Sequence, residues 1–210
     1  MKTILFFIPA VFFAGSIVAQ KYPDPEFSNE VYYLKKDSGV LVRLEKNTSK
    51  MDTKTKAGGM GGSESAYVIE GDKSAIRFHD GKNLSFIFSV ETSASSSSSA
   101  QRDSMMRANG ADPAMIGMMN KDPASTITLY KLDEGKGQRK IILQKMGGMF
   151  GSKKIQSSDK YTFSVRKIKE GYWELVIDKA LPKGEYAFSM MDMMSMSGMN
   201  GTLIFAFAID

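Results

Sequence analysis

Leu181-Pro182-Lys183-Gly184-Glu185-Tyr186-Ala187-Phe188 decides the fold. It reads as the end of one strand, a crossing and the start of the next. A Leu five residues before a Tyr, with Gly two before it, is the spacing of a tyrosine corner. In that motif the ring packs inside a Greek-key sandwich and the hydroxyl bonds backbone just upstream. Leu181, Gly184 and Tyr186 are therefore expected to be structural residues. Alternation points Tyr186, Phe188 and Met190 inward and Ala187 and Ser189 outward. The last stretch, Thr202 to Ile209, is apolar on both faces and reads as a buried strand beside the corner.

Upstream, the same period of two recurs. Val31 to Lys35 and Val40 to Glu45 flank the turn Lys36-Asp37-Ser38-Gly39. Leu84, Phe86, Phe88 and Val90 point in, and Ser85, Ile87, Ser89 and Glu91 point out. Ile127 and Leu129, Ile141 and Leu143, and Tyr161, Phe163 and Val165 define further inward faces. Trp173, the single tryptophan, shares a face with Leu175 and Ile177 and belongs to the core. The stretches 46–65 and 146–159 read as Gly-rich loops. The expected fold is an all-β antiparallel sandwich of about eleven strands, Greek-key and Ig-like.

The organisation follows. Lys2 and the apolar run Ile4–Val18 form a signal peptide, residues 1–19, cut near Ala19-Gln20. Residues 20–30 are an extended, loosely held segment, and 31–210 form one domain. Within it, 92–125 is an insertion that opens with low-complexity serine and holds at most one or two short helices. Lys56-Ala57-Gly58-Gly59-Met60-Gly61-Gly62-Ser63 matches Lys145-Met146-Gly147-Gly148-Met149-Phe150-Gly151-Ser152, so 31–125 and 126–210 read as candidate repeats. Regular strand alternation then splits the methionine-rich stretches between opposite ends, 92–125 and 146–159 at one, 46–65 and 190–200 at the other.

Composition narrows function. The 210 residues contain no Cys, so no disulfide and no lipid-bearing Cys is available. Lys and Arg number 28 against 23 Asp and Glu, spread in small groups, which suits a solvated surface rather than nucleic acid. His79, the only His, excludes ordinary His-based zinc sites and leaves a Ser-His-Asp triad a single candidate base. Nothing places two carboxylates across a cleft, so a small hydrolase is the weakest reading. No cofactor motif and no catalytic set is present. Strand faces rich in Lys and Arg, and an Asp at the end of the last strand, do not suit a lipid-facing barrel, and no membrane span is expected once the leader is removed.

Methionine is the anomaly, with sixteen in the chain including Met1. Met115, Met118 and Met119 fall in the insertion, and Met190, Met191, Met193, Met194, Met196 and Met199 crowd the last loop. Thioethers are soft ligands, so these are candidate Cu(I) or Ag(I) donors. As adaptable apolar side chains they also suit a contact surface. The chain resembles small exported β-sandwich proteins with a Gly-Glu-Tyr-Ala-Phe corner and an apolar last strand, without the motifs of a named family. The function expected is a secreted or periplasmic, non-enzymatic interaction or structural module for a protein or glycan partner. Soft-metal binding is the alternative.

Overall fold

The computed structural model describes residues 22–55, 62–90, 126–147, 155–190 and 201–210, together with Ser104, Arg107, Ala108 and Gly110. It is an all-β protein of antiparallel sheets packed together. The strands are β1 Glu30–Lys35, β2 Val40–Arg43, β3 Glu45–Thr55, β4 Gly62–Glu70, β5 Arg77–Phe78, β6 Ser85–Ser89 and β7 Ile127–Lys131. They continue with β8 Asp133–Gly135, β9 Gln138–Gly147, β10 Lys160–Tyr161, β11 Phe163–Lys169, β12 Tyr172–Ile177, β13 Gly184–Met190 and β14 Gly201–Ile209. Five form one sheet in the order β11-β12-β6-β1-β2. The others form a larger sheet, β10-β7-β13-β14-β3-β4-β9-β8, with β5 added in parallel to β14.

The larger sheet returns to its own start. Only Leu132 separates β7 from β8, so one run of chain pairs with β13 through β7 and with β9 through β8. Six segments thus enclose an interior: β7/β8, β13, β14, β3, β4 and β9. Below β8, residues 156–159 stitch β9 to β7. Lys145 and Gln156 exchange backbone bonds of 2.8 and 3.0 Å, and Ser158 N–H donates to the Ile142 carbonyl at 2.9 Å. Lys131 N–H donates to the Asp159 carbonyl at 2.9 Å.

This closure gives β13 and β14 two buried faces. Phe205, Phe207, Tyr186 and Phe188 pack toward Phe86, Phe88 and Leu175 of the five-stranded sheet, the main core. Ala187, Ile204 and Ala206 face the enclosed interior with Ile69, Leu132 and Ile141. Ala187 and Ser189 are buried, not outward as alternation suggests. Alternation separates two faces but does not say that the second is solvated, and a narrow lumen takes small residues.

Three further expectations are corrected. Residues 46–55 and 62–65, expected in a Gly-rich loop, lie in strands β3 and β4, and 56–61 lies outside the described residues. Ser49 holds the two strands from inside, its hydroxyl donating to the Val68 carbonyl at 2.7 Å and accepting from Val68 N–H at 2.8 Å. Ser85, Ile87 and Ser89 lie on the far face of the five-stranded sheet but are buried there. The segment 22–29 is no loose terminus. It covers that face: Tyr172 Oη donates to the Pro23 carbonyl, and Phe27 N–H donates to Tyr32 Oη at 3.0 Å. The Arg43 guanidinium lies 4.6 Å from the Phe27 ring centroid. Beneath it Tyr32, Leu34, Ile87 and Tyr172 make a third apolar cluster.

The candidate repeats do not form separate bodies. The five-stranded sheet takes β1, β2 and β6 from the first half and β11 and β12 from the second. Residues 1–19, expected from sequence to be a signal peptide, lie outside the described residues, as does nearly all of 92–125. Among the described residues no helix is long and apolar enough to cross a membrane.

Candidate functional site

The corner sets one end of the molecule. Tyr186 is fully buried and its hydroxyl donates to the Pro182 carbonyl at 2.6 Å. Burial raises the phenol pKa, keeping it a neutral donor. Leu181 is buried and its N–H donates to the Gly81 carbonyl at 3.0 Å. Gly81 is required there, because a Cβ would lie 2.0 Å from the Leu181 carbonyl oxygen. Gly184 has φ +147° and its missing Cβ leaves room for the Lys131 stem. Trp173 is partly buried and stacks on Phe88 with ring centroids 6.1 Å apart. His79 is exposed.

At this end the enclosed interior is sealed by charge. Arg139, only 1% exposed, forks onto Glu45 with bonds of 2.7 and 3.2 Å and lies 3.6 Å from Glu185. Its Nε donates to the Gly71 carbonyl at 3.1 Å. Glu185 also accepts from Arg77 at 2.9 Å and from Ser74 N–H at 2.8 Å. Arg77 continues to Asp210. Burial pushes the Glu45 carboxyl up, but the bonds from Arg139, Ser74 and Asn47 outweigh it and hold the pKa at about 2.

Two more buried carboxylates lie under the segment 22–29. Glu174 is 0% exposed and accepts from Ser85, Arg166 and Tyr22, with Lys36 at 3.6 Å. Glu30 accepts from Arg43 at 2.5 and 2.7 Å and from Lys46 at 3.0 Å. Burial raises both pKa values; the bonds from Ser85 and Arg166 at Glu174, and from Arg43 and Lys46 at Glu30, more than reverse it, so both end below the usual range. These groups, with Arg139 and Glu185, were not singled out from sequence. The only signal was a charged residue inside an apolar strand, as in Tyr172-Trp173-Glu174-Leu175. Each of these carboxylates is paired with an Arg or Lys side chain. Among the described residues no group of three or more His, Asp or Glu side chains is arranged to hold a metal ion.

The opposite end is the methionine-bearing rim. Ile127 is opposite Met190, Met190 opposite Leu203, and Gly201 opposite Lys50. Gly62 is opposite Gly147. The start of β7, the end of β13, the start of β14, the β3–β4 turn and the end of β9 therefore share one rim. In the five-stranded sheet β6 starts at the corner, where Ile177 N–H donates to the Leu84 carbonyl at 3.0 Å, and runs away from it. The strand ends that flank the undescribed stretches 56–61, 148–154 and 191–200 lie at this rim, as does the strand start that follows 91–125. The expected split between two ends is wrong. β2 runs on into β3 through Leu44, and β5 runs parallel to β14 as β4 does, so direction does not alternate strand by strand.

Beyond the last β14 partner, β3, β4 and β9 project as a three-stranded ribbon. One face carries charges in ion pairs, Lys54–Asp52 at 3.0 Å and Lys140–Glu64 at 2.8 Å. The other carries Met51, Thr53, Ser63, Ser65 and Met146 and no charge. Met51 is 50% exposed and Met146 42%. Met190 is half-buried against the main core. Met115, Met118, Met119, Met191, Met193, Met194, Met196 and Met199 lie outside the described residues. Their stretches are joined to the fold at Val90, Thr126, Met190 and Gly201. No family model, curated protein or solved structure matches the chain.

Proposed function

We propose that this chain is an exported, non-enzymatic binding module that works through its methionine-rich rim. One observation carries the reading. The methionines among the described residues, Met51, Met146 and Met190, lie at that rim or on the ribbon that projects beyond it, and the others, Met1 apart, fall in the undescribed stretches between these strands. Among the described residues no methionine is fully buried, and the buried apolar side chains are Phe, Ile, Leu, Val, Tyr and Ala. Methionine used as core filler has the reverse distribution. Placed at a rim, its flexible, polarisable side chains suit an adaptable contact with a protein or glycan partner. The paired buried carboxylates and the exposed lone histidine favour binding over catalysis. The Lys2–Val18 leader pattern favours a secreted or periplasmic setting.

Because the core holds no described methionine, photo-methionine labels the rim selectively. Grown with it and irradiated, cells should yield crosslinks from rim positions to one recurrent partner, competed by unlabelled protein. Crosslinks that are absent or unaffected by competitor overturn the contact reading.

A second reading is favoured by the shared rim itself: soft-metal binding, with thioethers from several stretches brought to one place. Titration with Cu(I) under reducing conditions decides it. Affinity no greater than that of a methionine-poor control protein ends that reading.

A further inference from the structure

The sheets differ in how they treat their edges. The larger sheet runs back into its own start and so covers its strand edges over most of its height, whereas the five-stranded sheet has two, β11 and β2. A bare edge offers unpaired N–H and C=O groups to any extended chain, and proteins blunt such edges with basic side chains and bulges. β11 is blunted both ways. It carries Arg166, Lys167 and Lys169, and its register with β12 shifts between Lys167 and Lys169. β2, Val40-Leu41-Val42-Arg43, has neither device. Val40 is 49% exposed, and the one charge, Arg43, is already held by Glu30.

The hydrogen-bond phase of β2 identifies the open groups. Leu44 N–H donates to the Val31 carbonyl at 3.2 Å, so the pairs Tyr33–Val42 and Lys35–Val40 are the hydrogen-bonded ones. Val40 and Val42 therefore spend their backbone groups on β1. Leu41 and Arg43 point theirs out from the sheet.

We propose that β2 is a strand-pairing edge whose occupant is β2 of a second copy, joining two five-stranded sheets into one antiparallel ten-stranded sheet across a two-fold axis. Opposed residues must share a face, which leaves two central registers. One sets Arg43 against Gly39, whose φ of +64° belongs to the turn. The other sets Val42 against Val42 and Leu41 against Arg43 at two symmetric places. It makes hydrogen-bonded pairs of the residues whose groups are free and keeps the two guanidiniums apart, each on its own Glu30. It also brings the acidic turn residue Asp37 of one copy toward the basic start of β3, at Lys46, in the other. The edge is four residues long, below the size of a permanent interface, so the dimer is concentration-dependent. It is independent of the methionine rim.

Sedimentation of the full mature chain over a concentration series should show a monomer–dimer equilibrium. Val40→Lys, at an exposed position, should shift it to monomer. Amide exchange resolved by residue gives a reading that needs no variant. Protection of Leu41 and Arg43 should rise with concentration while that of Val40 and Val42 stays constant. A chain that stays monomeric at its solubility limit overturns the proposal. So does a dimer that Val40→Lys leaves intact, or one in which the Leu41 and Arg43 amides gain no protection.

Discussion

At the corner end, the enclosed interior is closed by Arg139 forked onto Glu45 beside Glu185, with Tyr186 bonded to its own upstream backbone. Toward the rim, the same strands carry Met51, Met146 and Met190 and are followed in sequence by stretches rich in Gly, Ser and Met. Directional bonds at one end admit a single arrangement, and each lost partner leaves a buried charge or carbonyl exposed to that loss. Side chains with no directional demand admit many arrangements at little cost. The difference teaches that stability and recognition are placed at opposite ends of one sheet, so substitutions at the two ends should separate cleanly.

The largest expected effect is at Arg139. Arg139→Ala removes the buried guanidinium that forks onto Glu45 and lies beside Glu185, leaving Glu185 to Arg77 and Ser74, and should cost about 3–5 kcal/mol in urea unfolding. Glu45 adds a pH signature. Its folded pKa of about 2 lies below its ordinary 4.5, so its contribution is complete above pH 4.5 and is lost as pH falls from there through 2. Stability should decline over that window in the parent chain, and less steeply in Arg139→Ala. Equal slopes would show that the pair does not hold the end shut.

Next is Ala187→Leu. An outward Ala187 tolerates it, whereas in the enclosed interior the added volume should cost about 1–3 kcal/mol. A neutral result would mean that the larger sheet does not close. Tyr186→Phe follows, at roughly 1 kcal/mol, from the Pro182 carbonyl left without its donor.

How far the fold was legible follows from the same two faces. Residues 186, 188, 205 and 207 were readable because the main core takes large apolar side chains at every second position. The enclosed interior was only half readable: Thr202 to Ile209 reads as buried on both faces, but Ala187 and Ser189 are assigned to solvent by alternation and Ser49 to a loop. β3, Glu-Lys-Asn-Thr-Ser-Lys-Met-Asp-Thr-Lys-Thr, has the composition of a loop. Losing β3 also lost strand direction, and with it the single rim. The methionines themselves were visible in the sequence. Their common placement was not, since it depends on pairings such as Gly62 with Gly147, which are distant in the chain.

The smallest effect on stability tests the other side of the comparison. Met51 and Met146 are exposed on the uncharged ribbon face, opposite Tyr67 and Ser63 respectively. Met51→Leu with Met146→Leu keeps the apolar surface and removes sulfur and flexibility. Unfolding free energy should change by less than about 0.5 kcal/mol for each, as for surface positions without a packed neighbourhood. The same double variant reads function. If the rim is a contact surface, leucine partly replaces methionine and partner crosslinking weakens modestly. If the rim binds a soft cation, leucine offers no donor and Cu(I) uptake falls by the sites these sulfurs supply. Stability lost on the scale of Arg139→Ala would show that the ribbon is structural, and the division between the two ends would fail.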